Sequence, residues 1–251
     1  HRMLALNYVT GISLLVALLG VWQASALELV YHLGDVFSGT APASSVTPWA
    51  DIDFADVSPG VVRLAVTNLN LTASENLESL YLNLNPADNP LSLTLTLVTT
   101  SGGFDTPTIS LGLNSFKADG DGRYDILFSF ATGGMDNNRF TDNEYMVYDI
   151  SGIPGLSASD FVYMSQPDGG HGPFYAAAHV QRIGSDSGWI DPSGNMYMVV
   201  PEPATGSLAL LAGLMLLARK ACAKERRTTR GTPAPRADNL MMLPRNDGHG
   251  V

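Results

Sequence analysis

Cysteine is almost absent from this chain. The single cysteine is Cys222, and the stretch 27–200 contains none. A disulfide framework, the usual support of small exported domains, is therefore excluded for that stretch. Its stability has to come from burial of apolar side chains, with or without a bound metal.

Basic residues are scarce in the same stretch. Eight of the 14 lysines and arginines lie from Arg219 onward, whereas 27–200 holds 20 acidic and five basic residues, a net charge of −15. Such an acidic surface repels nucleic acids and anionic membranes, so nucleic acid is excluded as a partner. It suits divalent cations, cationic partners or solubility outside the cell.

Enzyme motifs are missing as well. The chain has no G-x-S-x-G, no H-E-x-x-H and no G-x-x-x-x-G-K. His32, His171 and His179 do not have the spacing of metal ligands. A carboxylate pair of the glycosidase type stays open, because its separation is spatial and cannot be read from sequence. We therefore expect a protein that is not an enzyme, with a secreted hydrolase as an alternative.

The stretch 27–200 contains segments in which apolar and polar residues alternate, as in β-strands, and it lacks long segments with helical periodicity. The most regular segment is Leu91–Leu97, where a period of two puts the leucines on one face of a strand. The predicted strands are Leu27–Leu33, Val62–Thr67, Leu80–Leu84, Leu91–Leu97, Ile109–Leu113, Tyr124–Phe130, Tyr145–Ile150, Phe161–Met164, Phe174–Arg182 and Met196–Val200. Turn formers such as Asn89-Pro90 separate them. The pattern predicts an all-β fold, an antiparallel β-sandwich or jelly-roll-like domain over 27–200.

The N-terminal segment 1–26 has the order of a secretory signal peptide. Arg2 supplies a positive charge, an apolar run extends from Gly11 to Trp22, and Ala24-Ser25-Ala26 has the small residues that a signal peptidase recognises. The run is shorter than the roughly 20 residues that span a bilayer. We predict a signal helix cleaved after Ala26 rather than a core helix.

The segment 201–227 contains a short motif, an apolar run and a basic cluster, in that order. Pro201-Glu202-Pro203 precedes an apolar run, Leu208–Ala218, which Arg219 and Lys220 close. A short apolar helix followed directly by basic residues stays in the inner membrane with its charges in the cytoplasm. Residues 204–218 correspond to about 22 Å of helix at 1.5 Å per residue, which suits a transient transmembrane helix that is later removed.

These features together resemble the PEP-CTERM sorting signal of Gram-negative bacteria. The resemblance implies recognition by an exosortase, a membrane-embedded transpeptidase-like protease, through Pro201, Glu202 and Pro203. The chain departs from the family pattern by continuing past the basic cluster; we expect 228–251, rich in proline, arginine and glycine, to be disordered. Three further segments are similar to an uncharacterised group of exported proteins with this signal, which lends no activity: Leu33–Pro42, Phe116–Ile126 and Gly172–Gln181.

One acidic loop, Asp119-Gly120-Asp121-Gly122-Arg123-Tyr124-Asp125, suggests a metal site. Asp119, Asp121 and Asp125 would supply three carboxylates to Ca²⁺, which binds six to eight oxygens. The bidentate glutamate that closes an EF-hand loop is missing. The alternative is a hairpin turn between two strands, in which Asp-Gly pairs provide the positive φ that the turn requires.

The expected function follows mainly from the two ends of the chain. We expect an exported, non-catalytic component of the cell surface or extracellular polysaccharide matrix of a Gram-negative bacterium, in transit through the inner membrane and handled by signal peptidase and exosortase. The alternative is a lectin-like module that binds carbohydrate, with Ca²⁺ as its cofactor. Trp49 and Trp189 would either stack on sugars or plug the ends of the core.

Overall fold

The computed structural model of the protein describes residues 27–72, 74–133, 138–192 and 196–199. The predicted signal peptide 1–26, the sorting signal 201–227 and the tail 228–251 lie outside the described residues. Within the described ranges, no helix has the length and apolar character needed to cross a membrane.

The described residues form thirteen strands and two short 3-10 helices, Pro90–Ser92 and Ala158–Phe161. In chain order the strands are β1 (Glu28–Leu33), β2 (Asp35–Gly39), β3 (Ala50–Ser58), β4 (Val61–Asn68), β5 (Asn76–Leu82), β6 (Thr94–Ser101), β7 (Thr108–Ala118), β8 (Gly122–Ser129), β9 (Tyr145–Ser151), β10 (Gln166–Pro167), β11 (Ala176–Ile183), β12 (Asp186–Asp191) and β13 (Met196–Val199). Their pairings are antiparallel. The prediction of an all-β antiparallel fold is confirmed.

The strands belong to two sheets. The six-stranded sheet has the order β13-β1-β3-β4-β9-β6. The seven-stranded sheet has the order β10-β8-β5-β11-β12-β2, and β7 pairs with β8. The chain passes repeatedly from one sheet to the other, so most neighbours in a sheet are distant in sequence.

One hydrophobic core lies between the two sheets, because alternate side chains of both sheets point into it. In β3, for example, Ile52 and Phe54 are fully buried. Phe128 of β8 packs edge-to-face on Tyr148 of β9 across the sheets, with ring centroids 5.7 Å apart. Each such side chain contributes about 1.5–3 kcal/mol when fully buried.

The segment Phe161–Met164 does not form the predicted strand. Its first residue is the last of the 3-10 helix Ala158–Phe161, at whose start Ser157 and Asp160 form a capping box. Phe161 is nonetheless buried, and it stacks on Phe54 with ring centroids 4.4 Å apart. The apolar run therefore predicted burial correctly and the secondary structure wrongly, since a short apolar run does not distinguish the two.

The segment Leu91–Leu97 also departs from its prediction. Asn89 accepts a hydrogen bond from the Leu91 N–H and Pro90 follows it, so the first residues form a 3-10 turn. The strand β6 starts only at Thr94 and lies at the edge of its sheet, with a register shift between Leu97 and Thr99. Leu91 and Leu97 are exposed as a result, at 69% and 42%, instead of sharing one buried face.

The outer face of the six-stranded sheet carries acidic residues. Asp51 and Asp53 alternate with the buried residues of β3, and His32 of β1 lies opposite Asp51, with 2.5 Å between His32 Nδ1 and the carboxylate. Burial, together with the charges of Asp51 and Glu28, raises the pKa of Asp53 to about 6, against the opposing effect of His32. Asp53 is therefore a site where a negative charge is unfavourable in the folded state.

This raised pKa predicts a pH-dependent effect of Asp53→Asn. The folded state binds more protons at Asp53 than the unfolded state does between about pH 4 and 6, so its contribution to stability is lost as the pH rises through that range. The shift corresponds to about 3 kcal/mol at most, which solvent access reduces to about 1–2 kcal/mol. Urea unfolding at pH 7.5 should show Asp53→Asn more stable than wild type by about that amount.

At about pH 2.5 the same substitution should change the free energy of unfolding little, because the aspartate is then almost entirely neutral in both states. Asp35→Asn, at an exposed position of β2, is the matched control and should stay within about 0.5 kcal/mol of wild type at both pH values. Equal stability of Asp53→Asn and wild type at pH 7.5 would contradict the raised pKa.

Candidate binding face

The outer face of the seven-stranded sheet carries a second apolar cluster, separate from the core. Tyr81, Ala118, Tyr124 and Ala177 are buried in it, and half-buried side chains pack against them, namely Phe37, Phe116, Leu127 and Trp189. The alternation of the strands places it there: Ala176 and Ala178 belong to the core, so Ala177 between them points outward. We call Phe37, Tyr81, Tyr124, His179 and Trp189 the aromatic face.

Trp189 lies at the centre of the aromatic face. It pairs directly with His179 across β11 and β12, and the two rings stack with centroids 4.5 Å apart and planes at 18°. Tyr81 and Phe37 flank the indole at 5.6 and 6.2 Å. The imidazole of His179 also contacts the carboxylate of Glu78 through Nδ1, which fixes its orientation.

Two loops lie beside the aromatic face and contact each other. The first, 119–121, connects β7 to β8, and the second, 168–175, connects β10 to β11. The His171 N–H donates to the Gly120 carbonyl at 3.0 Å, and Phe174 packs on Phe37 at 4.9 Å. A Cβ on Gly169 would lie 1.8 Å from the Gly120 oxygen, so the contact requires glycine there.

Asp121 ties these loops together from inside the protein. Its side chain is fully buried and accepts hydrogen bonds from the hydroxyls of Tyr124 and Ser165, the latter at 3.2 Å. Ser165 in turn exchanges hydrogen bonds with the backbone of Phe174. Burial raises the pKa of Asp121, the two hydroxyls oppose that rise, and the nearby carboxylate of Asp191, itself buried, adds to it.

The structure places the three predicted calcium ligands with different partners. Asp119 is exposed and accepts from the Ser38 hydroxyl at 2.5 Å. Asp125 is buried in β8 and accepts from the backbone N–H groups of Leu84 and Asn114 at 3.0 and 2.8 Å. In the part of the chain that the structure describes, no three His, Cys, Asp or Glu residues are grouped as a metal site.

The Asp-Gly segment instead forms the hairpin loop that was its alternative interpretation. Ala118 pairs with Gly122, the Asp121 N–H donates to the Ala118 carbonyl at 3.1 Å, and Gly120 has φ +55°. Gly120 thus supplies the left-handed conformation that a three-residue hairpin needs. Calcium binding by this loop stays a prediction.

The two tryptophans of the stretch 27–200 have different roles. Trp49 is 6% exposed and belongs to the core, and its indole N–H donates to the Ser44 carbonyl at 2.9 Å, as expected for a plug at an end of the core. Trp189 lies on the outer face instead. The sorting residues Pro201, Glu202, Pro203, Arg219 and Lys220 fall outside the described residues.

The aromatic face was not predicted as a unit. Its members are separated by up to 152 positions, from Phe37 to Trp189, and only the pairing of β8, β5, β11, β12 and β2 brings them together. The alternation Ala177, His179 was visible in the sequence, but nothing local indicated that these residues faced other aromatics. No family model, no curated protein and no solved structure matches the chain.

The contact of the two loops predicts that alanine substitutions at two neighbouring glycines affect stability differently. Gly169→Ala should lower the free energy of unfolding by about 1–3 kcal/mol, because its methyl group would overlap the Gly120 carbonyl. Gly170→Ala is the matched control: a Cβ there has no atom within 4 Å, and stability should stay within about 0.5 kcal/mol of wild type. Thermal unfolding of the two variants measures the difference, and equal melting temperatures would show that the loops do not pack in this way.

Proposed function

We propose that this chain is an exported, non-catalytic component of the cell surface or extracellular polysaccharide matrix of a Gram-negative bacterium. It is sorted by an exosortase through the segment 201–227. The observation that carries the proposal is the order of Pro201-Glu202-Pro203, an apolar run and a basic cluster in a chain that also has a signal-peptide pattern. The acidic composition of 27–200 supports it, since strong net charge keeps an exported protein soluble.

A second candidate function is carbohydrate binding by a lectin-like module. What supports it is the aromatic face on one side of an antiparallel, sandwich-like domain. Aromatic rings with a polar edge are suited to the mixed apolar and polar surface of sugars. The two functions are compatible, because a matrix protein that binds polysaccharide would be retained where the sorting signal delivers it.

The sorting proposal predicts that alanine at Pro201, Glu202 and Pro203 together blocks maturation. In a Gram-negative host that carries an exosortase, wild type should appear at the surface as a shortened species. The triple variant should stay in the inner membrane at its longer mass, because the protease no longer recognises the tail. Cell fractionation with immunoblotting and intact-mass measurement distinguishes the two outcomes.

Alanine at Thr228 and Thr229 is the matched control, since these residues lie beyond the basic cluster, and it should leave sorting unchanged. A triple variant that is sorted like wild type would remove the exosortase from the proposal. The non-catalytic part would fail if the protein hydrolysed a polysaccharide or ester at a rate that one carboxylate or histidine substitution abolished.

The calcium-dependent form of carbohydrate binding makes its own prediction. Millimolar calcium should raise the melting temperature of the protein by a few degrees, since a ligand that binds only the folded state stabilises it. Asp119→Asn should abolish this rise; Asp119 is a better choice than Asp121, whose loss would disturb a buried hydrogen-bond network. Asp105→Asn, an exposed residue that precedes β7 and so lies at the other end of that strand from the 119–121 loop, is the control. A melting temperature that calcium leaves unchanged would remove the metal from the function.

A further inference from the structure

A cleft of about 640 Å³ opens at the end of the seven-stranded sheet, beside the aromatic face. It is formed by the end of β2 and by the hairpin that joins β11 to β12. The side chains that line it are polar or charged, namely Thr40, Gln181, Arg182, Ser185, Asp186 and Ser187. The cleft therefore offers hydrogen-bonding groups where the face next to it offers aromatic rings.

A β-bulge directs the side chains of β11 into this cleft. Gln181 pairs with Ser187, but the next pair is Ile183 with Asp186, so Arg182 is an extra residue in its strand. Arg182 has φ +63°, a conformation that residues other than glycine rarely adopt. Val180 and Ile183 both lie in the core, so the bulge leaves Gln181 and Arg182 together on the side of the cleft.

The cleft and the aromatic face are continuous. Ser187 precedes Trp189 by two residues on β12, and Gln181 follows His179 by two residues on β11. Residues two apart in a strand point to the same face and lie about 7 Å apart. A ligand about as long as two sugar units would therefore contact the polar cleft and the indole of Trp189 at the same time.

The chemistry of the cleft fits a neutral, polyhydroxylated ligand. An arginine such as Arg182 donates hydrogen bonds and an aspartate such as Asp186 accepts them. The amide of Gln181 and the serine and threonine hydroxyls of the cleft can donate and accept. Sugar hydroxyl groups also donate and accept, so they match this lining. The charges of Arg182 and Asp186 oppose each other. The net charge of −15 over 27–200 repels acidic polymers.

We propose that the cleft, with Trp189 at its aromatic end, is a binding site for a neutral polysaccharide chain. The sugar hydroxyl groups bond to Gln181, Arg182 and Asp186, and the apolar face of a neighbouring sugar packs against the half-buried indole of Trp189. This inference gives a site and a ligand class to the second candidate function above and rests on it. The location of the protein in a polysaccharide matrix would supply the ligand.

Affinity electrophoresis of the full chain tests the site. Native gels, run in non-ionic detergent, contain one polymer each: mixed-linkage β-glucan, galactomannan, the neutral polysaccharide purified from the producing bacterium, or polygalacturonate as the acidic comparison. We expect at least one neutral polymer to retard wild type and polygalacturonate to leave its mobility unchanged. Retardation by polygalacturonate alone, or by none of the four polymers, overturns the proposal.

Variants locate the binding. Gln181→Ala should weaken the affinity for the polymer, measured from the retardation, about tenfold, as expected for the loss of one or two hydrogen bonds. Ser185→Leu, at an exposed turn, should weaken binding about tenfold or more, because it places in the cleft a side chain with neither a ring nor a hydrogen-bonding group, and Trp189→Ala should weaken it as well. Tyr145→Ala, which removes an exposed aromatic of the six-stranded sheet, is the control and should bind like wild type. Retardation that Ser185→Leu leaves unchanged places binding elsewhere and overturns the site.

The same gels separate failure of the site from failure of the wider function. Binding in the gel does not depend on export, so a chain that is not sorted can still show the predicted loss in Ser185→Leu. A neutral polymer that retards wild type and Ser185→Leu equally leaves carbohydrate binding standing and removes only this site. Folding of each variant is checked by its melting temperature, and Ser185→Leu keeps the test decisive if Trp189→Ala unfolds.

Discussion

The rest of the structure depends on the burial of one face of each sheet against the other. The stretch 27–200 has no cysteine, so no disulfide supports the fold, and the core has to supply its stability. Tyr31, Phe54 and Phe161 show how closely the six-stranded sheet and a 3-10 helix share that core: Phe54 contacts both of the other rings, and the Tyr31 hydroxyl donates to the Phe161 carbonyl at 2.8 Å. Because the inner faces carry the stability, the outer faces are available for other roles.

The two outer faces are chemically different, and this difference favours one of them as a binding surface. The six-stranded sheet presents acids and the bidentate ion pair of Arg63 with Asp149, groups that water solvates well. The seven-stranded sheet presents the aromatic face, bordered by the cleft and by two loops that Asp121 and the Gly120–Gly169 contact hold in place. A rigid border of this kind keeps a binding surface preorganised, so less conformational entropy is lost when a ligand binds. The Asp-Gly segment thus has a clear structural role as a support of this border.

Two properties decided whether a strand could be predicted from the sequence. One was a clear alternation of apolar and polar residues, and the other was a position in the interior of its sheet rather than at an edge. Val61–Asn68, Gly122–Ser129 and Tyr145–Ser151 were predicted almost at their observed bounds, since alternation is a local property. β3 was missed, although it alternates acids with buried apolar residues. The alternation of Leu91–Leu97 was misleading, because the burial of a strand depends on its neighbours and β6 is at an edge.

The sequence alone determined the composition and the all-β class, and it predicts the two terminal signals, because each is a property of residues that are adjacent in the chain. It also raised Trp189 and the Asp-Gly loop as possible sites without deciding between a structural and a binding role for either. Only the tertiary structure decided that Trp189 lies with His179 and Tyr81 on an outer face beside a polar cleft, and that Asp119, Asp121 and Asp125 have separate partners. The physical reason is the pairing of strands distant in the chain, whose register and bulges set which side chains meet.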